Sequence, residues 1–146
     1  MASQIYNEYK RASAAGEIDW DADDIRVVLC MSNTTCDTEN DGIVNLADFT
    51  TIDKDDGANF AVKACANQAV NKDDANDRAE LDADDITWTA LGNGTRQLVG
   101  ALIKKHVDGT DANDLAIAWV EFASAQSPGG SDFTVSWDAE GILQLT

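Results

Sequence analysis

Acidic turn clusters cut this chain into short pieces, and their spacing limits its folds more than any other feature. "DKDDGAN" (53–59), "NKDDANDR" (71–78), "GNGT" (92–95), "DGTDAND" (108–114) and "SPGGSD" (127–132) recur along the chain. Asp, Asn and Gly favour turns because Asx side chains bond nearby backbone and Gly reaches positive φ freely. Between the clusters lie apolar, β-branched runs: "IRVVLCM" (25–31), "ITWTAL" (86–91), "RQLVGALIKKH" (96–106), "LAIAWVEF" (115–122) and "DFTVSW" (132–137). "NFAVKACA" (59–66), "RAEL" (78–81) and "ILQLT" (142–146) are weaker strand signals. In 25–31 alternation places Ile25, Val27, Leu29 and Met31 on one face. "LAIAWVEF" is apolar on both faces except at Glu121, which predicts a central strand. No helix of crossover length separates the runs, so a parallel α/β sheet is not expected. The predicted class is all-β, an antiparallel sandwich or jelly-roll-like barrel of about seven to nine strands, with one short N-terminal helix.

That helix is expected over 3–15. Ser3 is the candidate cap, Glu8 lies toward the positive end, Lys10 and Arg11 toward the negative end, and Gly16 is a natural stop. The organisation predicted is an arm, 1–17, and one β-sandwich domain, 18–146. Ile5, Tyr9 and Ala12 share a stripe with Tyr6 beside it, and Ile18 and Trp20 follow. Such an arm would dock Ile5, Tyr6, Tyr9, Ile18 and Trp20 on a neighbouring subunit, or equally on its own sandwich, since Tyr and Trp are frequent interface anchors.

The chain carries 27 acidic residues against 10 basic, a formal net charge of −17. Aspartate supplies 21 of the acids and glutamate only 6, which favours turns over helix interiors. A polyanion of this kind is repelled by nucleic acid and by anionic membranes, so protein or cationic partners are expected. It suits a salty medium, where self-repulsion is screened within about 8–10 Å. With 44% hydrophobic residues the chain is not a disordered acidic tract. No apolar run reaches the length of a membrane span. The opening "MASQIYNEYKRASAAG" lacks the apolar stretch of a secretory signal, so general secretory export is not expected.

"DADDI" occurs at 21–25 and 82–86, each time after a large apolar residue, and "WDAEGI" (137–142) repeats the outline. The last copy reads as a hairpin, with Gly141 in a left-handed conformation that Asp24 and Asp85 would adopt in the first two. Neither DADD copy has calcium-loop spacing. "DTENDGIVNLAD" (37–48) does: Asp37, Glu39, Asp41 and Asp48 fall at positions 1, 3, 5 and 12, with Gly42 at 6, which resembles a dockerin calcium loop. No second loop follows in register, no helix precedes it, and β-branched residues follow it. The expectation is no metal and no cofactor, with calcium on this loop as the minor alternative. Cys30, Cys36 and Cys65 lack CxxC spacing and, with His106 the lone histidine, form no zinc set. They are expected as buried free thiols, a Cys30–Cys36 bridge being the alternative.

No nucleophile elbow, P-loop or dinucleotide fingerprint is present. Glu121 is the one carboxyl placed to have an altered pKa, and a paired structural charge is its simpler reading. The expectation is a protein without catalytic residues. Trp88, Trp119 and Trp137 fall in strand patterns and are expected in the core, with Trp20 partly exposed.

The blocks "ASQIYNEYKRASAAGEIDWDADDIRVVL", "NDRAELDADDITWTAL", "LAIAWVEF" and "FTVSWDAEGILQLT" resemble, in order and spacing, small virion proteins of tailed phages and related viruses. Residues 32–75 depart from that pattern. The resemblance implies a capsid decoration, or cement, protein on the outer surface of the head, made in the host cytoplasm. Its implied partners are the major capsid protein and other copies of itself, with a trimer guessed from capsid geometry. Two alternatives stand beside it: a tail- or head-fibre-associated adhesin for host glycans, and a calcium-binding dockerin-like surface module.

Overall fold

The computed structural model describes residues 3–146, so the first two residues of the expected 1–17 arm lie outside the described residues. The chain is all-β with antiparallel sheets and one short helix near its N-terminus, as the turn spacing predicts. In chain order the elements are β1 (Gln4–Ile5), α1 (Asn7–Ala14), β2 (Ile25–Met31), β3 (Lys63–Ala64), β4 (Ala69–Asp73), β5 (Arg78–Asp82), β6 (Ile86–Leu91), β7 (Leu98–Lys105), β8 (Leu115–Gln126), β9 (Ser131–Val135) and β10 (Leu143–Leu145).

The main sheet runs β1-β8-β7-β2-β3, with smaller sheets β10-β5-β4 and β6-β9. Alternation along β2 divides its side chains as the sequence suggests. Ile25, Val27, Leu29 and Met31 join a core with Ile103, Ile117, Leu81, Ile86, Trp88 and Val135, so the two small sheets pack on that face. Val28 and Cys30 point the other way, with Leu102 and Trp119, against Tyr6, Cys36, Ile43, Leu46 and Phe49. That second face is therefore covered by residues 32–62, which carry a single 3₁₀ turn at Leu46–Asp48. Polar side chains hold this cover where a strand ladder would otherwise do so. Asp53 accepts from Arg96 Nε at 2.8 Å and from the Asn33 amide at 2.9 Å. Glu39 accepts from the Thr50 amide at 2.8 Å and the Thr35 hydroxyl at 2.9 Å.

The helix begins later than expected. Gln4 and Ile5 pair with Trp119 and Ala118 as an edge strand, and Tyr6 (φ −67°, ψ 146°) is still extended. Ser3 is not the cap; its hydroxyl accepts from the Glu121 amide at 3.0 Å. The sheet edge thus competes with the helix for these residues and wins. The C-terminal stop is as predicted. Gly16 sits at φ +74°, its amide reaches Ser13 O at 3.2 Å, and the Glu17 amide reaches Ala12 O at 2.8 Å. This double closure satisfies carbonyls that the helix end would otherwise leave open.

Other differences follow from tertiary context. Residues 59–66 yield only the short β3, because the Phe60 amide closes a turn on Gly57 O and Trp88 Nε1 takes the Ala61 carbonyl. Residues 69–73, partly read as turn, form β4 opposite β5; its side chains are mostly exposed, so hydrophobicity gave no signal. β9 and β10 do not form the expected hairpin, since β9 pairs with β6 and β10 with β5. The turn itself is as predicted, with Gly141 at φ +91° and its amide on Asp138 O. Asp24 and Asp85 are not left-handed; among the described residues the non-glycine positions at positive φ are Asn59, Asn67, Asp77 and Ala90.

The three acidic turns share a different relation, which is that they touch. Trp20 Nε1 donates to Asp82 O at 2.9 Å, and Trp137 Nε1 donates to Asp84 O at 3.1 Å. The Trp137 amide donates to Asp85 Oδ1, and the Ile142 amide to Leu81 O at 2.7 Å. The second copy is the hub on which the first and third are fastened.

Candidate functional site

β8 is long and stays paired to β7 as far as Gln126, but its last residues run past β1. On the edge opposite β7, the only strand paired to it among the described residues is β1, at Trp119 and Ala118. Among the described residues β9 and β10 each pair on one side only. These edges border an open groove of about 720 Å³. Its walls include Ile5, Val120, Phe122, Phe133, Trp137 and Ile142, all partly buried and packed on the main core. Phe122 and Phe133 stand 5.8 Å apart between ring centroids, at 60°. Glu121 and Asp138 are the charged residues that line the groove, and both are acidic. Aromatic walls beside unpaired backbone suit binding of a flat or extended ligand.

The tryptophans exchange two expected places. Trp20 is 2% exposed and belongs to the core, whereas Trp137, expected inside, lines the groove. Its indole N–H is tied to the Asp84 carbonyl at the surface, and its ring packs on the core while lining the groove. Trp88 and Trp119 are fully buried as predicted. Sequence alternation could flag Trp137 as inward but not that the facing sheet ends short of it.

The five residues weighed as an interface arm are largely enclosed by this chain's own fold. Tyr6, Tyr9, Ile18 and Trp20 are each no more than 3% exposed, and Ile5 is half-buried in β1. Of the two packings left open by the sequence, the chain itself adopts docking on its own sandwich. Tyr6 stacks beside Phe49 at 5.2 Å and donates its hydroxyl to Cys36 O at 2.7 Å, and burial pushes its phenol well above the usual range.

At the other end of β8 lies a buried charge cluster. Asp114 is fully buried and forms an ion pair with Lys104, itself 4% exposed. Asp114 Oδ1 also accepts from the amides of Val107 (2.8 Å), Asp108 (3.2 Å) and Gly109 (3.1 Å). Burial alone would push this carboxyl up, but Lys104 and the backbone donors outweigh it and hold it well below the usual carboxylate range. His106 Nδ1 lies 3.5 Å from Asp114 Oδ2 without a hydrogen-bond partner. The carboxylate organises the β7–β8 loop, and no serine or cysteine hydroxyl or thiol bonds to His106.

The calcium-like loop is used differently from its spacing. Asp48 accepts from the Val44 and Asn45 amides at 3.0 Å, and Glu39 is bonded to Thr35 and Thr50. Glu39, Asp41 and Asp48 border a shallow depression, yet among the described residues no three acidic, histidine or cysteine side chains are grouped to hold a metal ion. Glu121 accepts from Trp119 Nε1 at 2.7 Å, a paired structural charge. Cys30, Cys36 and Cys65 are free and buried. Hydrogen bonding with Cys36, then burial, raises the Cys30 thiol, and burial pushes Cys65 up to about 12.

The chain's cations are mostly engaged. All of its Lys and Arg side chains except Lys10 and Lys63 form ion pairs with its own carboxylates. Among the described residues no helix is long and apolar enough to cross a membrane. Searches against protein-family models, curated proteins and solved structures return no match.

Proposed function

We propose that the protein is a virion structural protein of the decoration type, attached to the outer surface of the major capsid protein lattice. The observation that carries the reading is the surface itself. Most of its cations are paired internally, its exterior is strongly acidic, and that exterior is interrupted by an apolar groove. Such a surface is unsuited to packaged DNA and well suited to a protein lattice that offers cationic or apolar contacts. The sequence blocks that resemble small virion proteins support the same assignment. A copy bridging adjacent capsid subunits adds interface that must break before the shell opens, so bound protein raises the shell's resistance to internal pressure. Quantitative mass spectrometry of purified particles tests this. Copies comparable in number to capsid subunits are expected on heads, and absence from particles overturns the proposal.

The adhesin reading has one observation in its favour, the aromatic side chains of Phe122, Phe133 and Trp137 in an open groove. Sugar rings stack on such faces. A few copies confined to tail or fibre fractions, with glycan binding, would favour it.

A further inference from the structure

The geometry points to the β8–β9 groove as an acceptor for an extended, basic polypeptide segment that adds to an open sheet edge. This rests on the reading above for the partner's identity as a shell protein, while the chemistry of the groove comes from its own residues. Two features select a polypeptide over other ligands. β8 runs on to Gln126, while among the described residues β1, its partner on the outer side, pairs only at residues 118 and 119, with the Ser3 hydroxyl taking the Glu121 amide beyond them. Among the described residues β9 and β10, which form the facing wall, each have one edge without a strand partner. Unpaired edges carry rows of amide donors and carbonyl acceptors at strand spacing, and an incoming strand satisfies them.

Charge selects the kind of polypeptide. No lysine, arginine or histidine lines the groove, and Glu121 and Asp138 lie along it. The molecule as a whole carries −17. A segment alternating apolar residues with Lys or Arg would turn one set toward Phe122, Phe133 and Trp137 and the other toward the acidic rim, because strand side chains alternate. About five residues, roughly 17 Å of strand, match a typical sheet addition. An acidic segment would meet like charge throughout.

The test uses the full chain and a labelled peptide that alternates lysine with valine and phenylalanine. Three comparators accompany it: the same peptide with N-methylated backbone amides, its glutamate counterpart, and a neutral soluble oligosaccharide. Fluorescence anisotropy and Trp fluorescence are the readouts. The lysine peptide is expected to bind, with the N-methylated and glutamate forms weaker by about tenfold or more. Ala123→Arg places a cation on an exposed position of the groove and is expected to abolish binding, whereas Val70→Arg, on exposed β4, leaves it unchanged. Ser136→Arg serves as the second groove variant should Ala123→Arg fail to fold. Equal affinity for the N-methylated peptide would reduce the effect to attraction by net charge and overturn the proposal. So would unchanged binding by a folded groove variant, or a response to the oligosaccharide alone.

The two readings fail separately. Peptide binding without copies on particles retains the groove and removes the virion assignment. Abundant copies on particles, with a folded Ala123→Arg protein that still attaches, retain the assignment and remove the groove as its anchor.

Discussion

The two ends of β8 solve opposite problems. At its N-terminal end, Asp114 places a charge in the interior and then satisfies it with Lys104 and three amides. Val44 and Leu46, from the cover over the second face, also bond to this end: the Ala116 amide donates to Val44 O and the Leu46 amide to Asp114 O. At its C-terminal end, aromatic area is gathered and left open, beside strand edges that have no strand partner among the described residues. The first end satisfies the Asp114 carboxylate internally, with only His106 Nδ1 beside it lacking a hydrogen-bond partner, and has little left to offer a ligand. The second withholds both apolar surface and backbone groups from the fold, and that is where recognition is affordable without undoing the structure.

Breaking the closed end should have the largest effect. Asp114→Ala leaves Lys104 buried without its counter-charge and frees three amides, so a loss of about 3–5 kcal/mol is expected in urea unfolding. Acid should erode the same contribution gradually. An aspartate whose folded pKa lies below its unfolded value of about 3.9 stabilises the protein at higher pH and loses that contribution as protons bind. Stability should therefore hold above about pH 5 and fall as pH drops through 4 and below. Asp114→Asn, which keeps an oxygen acceptor but no charge, should flatten that fall. An equal acid slope in wild type and Asp114→Asn would show that other carboxylates govern it.

The middle of the strand gives a smaller test. Trp119 lies across Gly100 on β7, where an added Cβ would come within 2.2 Å of Trp119 Cζ2. Gly100→Ala should cost about 1–3 kcal/mol by overpacking, read as a lower urea midpoint with unchanged slope. At the open end, Ala123→Arg should change stability by no more than about 0.5 kcal/mol. A large loss there would mean that the groove is closed in solution and that the contrast between the ends is false.

Much of the fold was readable because local rules and global packing agree. β2 and β6 have the bounds their sequences imply, Ile25–Met31 and Ile86–Leu91, since alternating apolar residues match a face that is actually buried. Where the two disagree, the sequence misleads. Ser3 and Ile5 have a helical place in the sequence pattern, but the edge of β8 takes Ile5 as strand and Ser3 as an acceptor for the Glu121 amide. β4 is exposed and carries no hydrophobic signature at all. The groove was the least readable feature. Glu121, Phe133 and Trp137 were visible individually, yet nothing local says that β8 outruns β1 or that β9 turns away from β10.

By itself the sequence determined most of the turn positions, the all-β class, the helix stop at Gly16 and the acidic character of the surface. These depend on backbone preferences and charge, which each residue carries into any fold. Tertiary structure decided which strands pair, which tryptophans are covered and which carboxylates are satisfied. Pairing partners are far apart in sequence, and burial is a property of the neighbours a residue acquires. The repeated DADD shows both sides. Its turn-forming chemistry is local, but its role of tying Trp20 and Trp137 to one corner exists only once the sheets have packed.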